Sequence, residues 1–158
     1  MGKSVLLRHL AFRLPTLPDG VVWLSAANRP YDDLLEKIFD AFFQTSLPVK
    51  LNADGLLRHL SDINALLLVD DVDLSRDEVG ALLAALPRAA LVLASNERHL
   101  WGEGHAIPLG GLTLDEGMAL FTRQVGRSLR PHEEGEVRRL VDFGGSPLAI
   151  RQLSLIHI

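Results

Sequence analysis

The chain has 158 residues, 47% hydrophobic and 23% charged, a globular rather than a disordered balance, and a length at which one core buries roughly 70% of the unfolded surface. Its net charge of -4 and pI near 5.8 give no support for a broad nucleic-acid surface, and the lack of cysteine removes disulfides and cysteine zinc sites. No apolar run reaches the roughly 18 residues of a membrane span, and Arg8, His9 and Arg13 interrupt the place where a signal peptide needs its apolar region, so a cytoplasmic setting is expected.

Two kinds of segment alternate along the chain. Residues 5–14 place Leu7, Leu10, Ala11 and Leu14 at helical spacing, and Pro15 stops them. Residues 20–25 are short, β-branched and apolar between turn residues, which predicts a buried strand. After Pro30, Leu35, Ile38, Phe39 and Phe42 return to the helical period, and a shorter helix is expected over 53–60. Residues 65–71, Ala-Leu-Leu-Leu-Val-Asp-Asp, suit a strand covered on both faces and ending in acids. Ser75 and Glu78 form a capping box for a helix carrying Val79, Leu82, Leu83 and Leu86 on one face. Residues 90–95 predict another buried strand, and residues 106–109 a last short one that Pro108 confines to an edge or an end.

Beyond this point the pattern is helical. Thr113 and Glu116 form a second capping box, followed by Leu114, Met118, Phe121 and Val125 on one stripe. Residues 133–143 carry Val137, Leu140 and Val141 and end at Gly144-Gly145, after which Ser146 and Pro147 fit the N-cap and first position of one more helix. The expected fold is therefore α/β, a parallel sheet with helices on both faces over residues 1–110, followed by a small helical lid over residues 111–158.

Two short motifs carry chemistry. Gly2-Lys3-Ser4 stands directly before an amphipathic helix, the setting of the end of a G-x-x-x-x-G-K-[ST] loop. There, glycine lets backbone amides wrap a phosphate, the helix N-terminus adds its dipole, lysine reaches the outer phosphates and the hydroxyl binds Mg²⁺. Asp70 and Asp71 end a buried strand, at the edge where open α/β sheets bind ligands. Asp70 is placed to hold Mg²⁺ through water, and Asp71 to orient an attacking water. The two motifs occur in the expected order with an α/β unit between them.

With these motifs the chain resembles the signal-transducing P-loop ATPases with several domains, the STAND class, whose best-known branch is the NB-ARC modules of plant immune receptors and apoptotic adaptors. The likeness runs through Gly2-Lys3-Ser4, the strand at 18–24, the Walker B strand at 66–72, the sensor strand at 90–95, residues 107–112 before the lid, and Gly144-Gly145-Ser146-Pro147-Leu148-Ala149-Ile150, similar to the lid's Gly-Leu-Pro-Leu motif. The resemblance implies that Gly2, Lys3, Ser4 and Val5 bind nucleotide phosphate, with Ser4 and Asp70 on Mg²⁺ and Asp71 as the hydrolytic carboxylate. It also implies that Pro147 lies against the adenine, with Mg²⁺ and ATP or ADP as the bound group and self-association through the complete protein. Ser146 stands where leucine is usual. The sensor strand usually ends in Ser/Thr-Arg, whereas here Ser95 is followed by Asn96, Glu97 and Arg98, so either Asn96 or Arg98 takes the sensor place.

The phosphate loop lacks its first half. The resemblance puts the strand feeding it inside the sheet, so the chain alone is expected to be marginal, aggregation-prone and a poor nucleotide binder, with effector or repeat domains adjoining it. A clamp that holds nucleotide without turnover is the alternative function, since the sensor segment is irregular. A nucleic-acid motor is disfavoured by the acidic balance and the lid motif, and no direct nucleic-acid or membrane partner is expected. The six histidines show no metal spacing, and Trp23 and Trp101 read as packing residues.

Overall fold

The computed structural model describes residues 2–43, 52–96, 104–142 and 145–156. Its element order is α1 (Lys3–Ala11), β1 (Val21–Ser25), α2 (Tyr31–Phe42), α3 (Ala53–Ser61), β2 (Leu66–Val72), α4 (Arg76–Ala85), β3 (Ala90–Ser95), α5 (Leu114–Val125), α6 (Pro131–Asp142) and α7 (Pro147–Ile156). The chain is mixed α/β and divides into a sheet unit, residues 3–106, and a helical unit, residues 107–158, with which Gly2 is grouped.

In the sheet unit the three strands are parallel in the order β1-β2-β3. Parallel neighbours need crossover connections, and these bring helices onto the faces. One face carries Leu24, Leu67 and Val69 against Leu34, Leu35 and Ile38 of α2, Leu60 of α3, and Val79 and Leu82 of α4. The other face, with Leu66, Leu68 and Ala94, is covered by Leu7 of α1. β2, the middle strand, is buried from Leu66 to Asp70, which accounts for its unbroken apolar run. β1 and β3 were expected to be equally buried. Each has only one fully buried residue, Leu24 and Ala94, because among the described residues each has β2 on one side only.

Residues 106–109, expected as a last strand, form no ladder. A strand exists where a neighbour takes its N–H and C=O groups, Pro108 offers no N–H, and no described residue pairs with the segment. Ile107 is accordingly 84% exposed.

The helical unit packs Phe121, Val137, Val141 and Ile150 into a small core. Both capping boxes form as read, with Ser75 and Thr113 each accepting from the backbone N–H of the glutamate three residues on. Ser146 Oγ accepts from Ala149 N at 3.5 Å, with Pro147 as the first helical residue of α7. Leu140, expected on the buried stripe of α6, is 41% exposed; Val137 and Val141, four apart, face the core instead. Gly117 explains how closely α5 approaches its neighbours. A Cβ there would lie 2.3 Å from Val141 Cγ1 and 3.2 Å from Ile150 Cδ1. Gly145, at φ +54°, presses on the backbone of Leu112, whose N–H donates to the Gly145 carbonyl at 2.7 Å.

The α5–α6 turn is tied by charge. Arg127 forks onto both oxygens of Glu133 at 2.8 and 2.9 Å, and Glu133 Oε2 also accepts from the Arg130 backbone N–H at 2.8 Å. These bonds to the ionised form hold the Glu133 carboxyl down to about 2 from its ordinary 4.5.

Two predictions follow from the helical unit. Gly117→Ala gains helix propensity but drives a methyl into a stiff β-branched neighbour, so it should cost about 1–2 kcal/mol in denaturant unfolding, while Gly135→Ala, in open space on α6, should stabilise by about 0.5–1 kcal/mol. Because the carboxyl of Glu133 is depressed on folding, the stability it adds is complete above pH 4.5 and is lost as the pH falls through about 2. A pH series of melting temperatures should show the acid-side loss reduced in Glu133→Gln.

Candidate functional site

The C-terminal ends of β1 and β2 lie side by side, with Ser25 level with Asp70. On the other flank the ladder slips, since Val69 is level with Leu93 but Val72 with Ser95. Asp70 and Asp71 therefore stand opposite one residue, Ala94, as a β-bulge. The bulge has a packing reason. It lets Val69 and Val72, three residues apart, both join the same core face.

It also separates the two acids. Asp70 is 2% exposed, and its Oδ1 accepts one hydrogen bond, from the Asp71 N–H at 3.0 Å. Asp71 turns out to solvent with φ +53°, a left-handed conformation that aspartate tolerates better than most residues. Its neighbours along the chain, Val72 and Leu74, are both 3% exposed, so the turn is pinned on the C-terminal side as well.

α1 runs against the strands. Leu7 packs in one cluster with Leu66, Leu68 and Ala94, against which Ala11 and Leu14 also lie, while Lys3, at the start of the helix, bonds to Asn96 just past the end of β3. The N-terminus of α1 thus faces the strand C-termini. Gly2 enters it at φ +113°, a region glycine occupies freely. Ser4, three residues before Leu7 and on its side of the helix, is half-buried, and the first turn contains no acid. Lys3 Nζ donates to Asn96 Oδ1 directly after β3, joining residues 93 apart in sequence. The helix end, a lysine and a buried carboxylate therefore share one end of the sheet, an arrangement suited to an anion carried with a hard cation.

Of the residues expected from the sequence, Lys3, Ser4, Asp70, Asp71 and Asn96 belong to this end of the sheet. Val5 is 72% exposed on α1, and Pro147 belongs to the helical unit. Arg98, the other sensor candidate, lies outside the described residues, as do Trp101, Gly144, His99 and His157. The sequence reading missed Lys37. From α2 its Nζ donates to the Ser25 carbonyl at 3.3 Å, at the tip of β1 beside Asp70. The available signal was modest, a lone cation next to Ile38 and Phe39 on the buried side of an amphipathic helix.

Among the described residues no three His, Asp or Glu side chains gather as a protein-only metal cage. Mg²⁺ does not require one, since it takes one or two carboxylates and completes its shell with phosphate and water. Asp70, buried with a single hydrogen bond, fits such a cation. No described helix is long and apolar enough to cross a membrane. Comparison with protein families and with curated proteins gives no match.

Asp70→Asn keeps the acceptor for the Asp71 N–H at the same size. It should change unfolding stability in a chelator by less than about 1 kcal/mol, and a larger loss there would mean that the carboxylate has further partners.

Proposed function

We propose that the chain is the nucleotide-binding core of an ATP-driven switch of the P-loop type, similar to the NB-ARC modules, in which slow hydrolysis controls domain arrangement and self-association. The observation that carries this reading is Asp70, a buried carboxylate with one hydrogen bond and no ion pair among the described residues, at the same end of the sheet as the N-terminus of α1. A buried charge without a counter-ion costs stability, and sites that bind a cation bear that cost for function.

In this reading the amides at the start of α1 and the ammonium of Lys3 hold the outer phosphates, and Ser4 Oγ with Asp70 holds Mg²⁺. Held by Ser4 and Asp70, the cation would supply charge neutralisation for the bound phosphates. Asp71, exposed at the bulge, accepts a hydrogen bond from an attacking water and aligns it. Asn96 reports on the outer phosphate from the end of β3.

The test is binding of a fluorescent ADP analogue with Mg²⁺ to the intact protein. Lys3→Ala should weaken it at least about ten-fold, whereas Asp71→Ala should keep the affinity and lower ATP turnover at least about ten-fold. Binding without turnover in the unaltered protein would instead favour the non-hydrolysing clamp. Equal affinity in the unaltered and Lys3→Ala proteins would remove the P-loop reading.

A further inference from the structure

The register of β1 decides which of its backbone groups face β2. The Leu66 N–H donates to the Gly20 carbonyl at 2.9 Å, and the Ala26 N–H donates to the Asp70 carbonyl at 2.8 Å. These groups alternate along a parallel strand, so Val22 and Leu24 also bond to β2, while Val21, Trp23 and Ser25 turn their N–H and C=O groups the other way. Among the described residues no strand lies on that side, and Trp23 at its centre is exposed. An unpaired edge is a template for another chain. This one is also self-complementary. Two copies of β1 laid antiparallel and centred on Trp23 would set Val21 of each opposite Ser25 of the other, and the outward groups of all three residues would find partners.

We propose that Lys37 guards this edge: by holding the outward carbonyl of Ser25 it keeps β1 of one copy from pairing with β1 of a second. The carbonyl that would accept from the second copy is the one that takes Lys37 Nζ at 3.3 Å. By symmetry the bond is contested at both ends of the pairing. Lys37 enters no ion pair among the described residues, so an incoming strand must strip water from an uncompensated ammonium as well as displace it. The lysine is held in place by α2, whose Leu34, Leu35, Ile38 and Phe39 are buried in the core. Arg8 adds a second charge along the edge, with its guanidinium 5.0 Å from the centre of the Trp23 ring. The guard is independent of the phosphate reading, because the Ser25 carbonyl faces away from β2.

The experiment is sedimentation velocity of the intact protein over a concentration series, without nucleotide. Lys37→Met keeps the apolar stem and removes the donor and the charge. It should strengthen self-association at least about ten-fold, since one contested bond is freed at each end. Lys37→Arg, still a charged donor, should stay at the level of the unaltered protein. Cross-linking then locates the contact. The chain has no cysteine, so Trp23→Cys added to Lys37→Met should form a disulfide-linked dimer on oxidation, while Glu136→Cys, on the exposed side of α6, should not. With Lys37 intact, Trp23→Cys should stay largely unlinked. Self-association of Lys37→Met no stronger than that of the unaltered protein overturns the guard. Stronger association with equal linkage at positions 23 and 136 overturns the edge as its site and identifies general exposure of the core instead.

Discussion

A strand buried on both faces can carry polar side chains only where it ends, and β2 is that strand. Its five residues from Leu66 to Asp70 are all buried, and both neighbouring strands take their register from it. Helices must cover the two faces, so α1 lies on one and α2, α3 and α4 on the other. At the C-terminal rim Ser25, Asp70 and Asn96 terminate or follow three adjacent strands. The rim is a consequence of the core: each side chain at the site ends, opens or flanks an element whose position is set by apolar packing farther down.

Much of this was legible in the sequence because it depended on local signals. The run before Asp70 is too apolar for anything but a covered strand, both capping boxes spell out their own hydrogen bonds, and Ser146-Pro147 states where a helix begins. What was not legible depended on neighbours. Residues 20–25 and 90–95 have the composition of central strands, yet the order of the three strands among the described residues makes them edges. Residues 106–109 have strand-like composition and no strand to pair with. Leu140 fits a helical stripe one position wider than the contact α6 makes, since Gly117 draws α5 in against Val141 and leaves Leu140 outside.

The same limit applies to the site. Asp-Asp at a strand end can be read as two carboxylates in one place. The bulge that separates them follows from Val72 and Leu74, two apolar residues just after the acids that both have to reach the core. If the strand kept simple alternation, Val69 and Val72 would lie on opposite faces. One inserted residue brings them together, and the left-handed turn at Asp71 accompanies it. The pairing of Lys3 with Asn96 was equally out of reach, because it requires knowing that α1 runs opposite to the strands and begins level with the end of β3.

The bulge therefore gives one dipeptide two environments. Asp70 keeps the strand's alternation, lies on the α1 side with Leu66 and Leu68, and loses its water. Asp71 leaves the ladder, keeps its water and is fixed through its own N–H to the Asp70 carboxylate. In the reading proposed above, the dry carboxylate is the one that takes the cation, and the solvated carboxylate on a fixed backbone is the one that holds and orients a water. Two acids in regular strand geometry would lie on opposite sheet faces, each against its own layer of helices. It is the extra residue, required by Val72 and Leu74, that leaves one acid inside and the other out on the same rim.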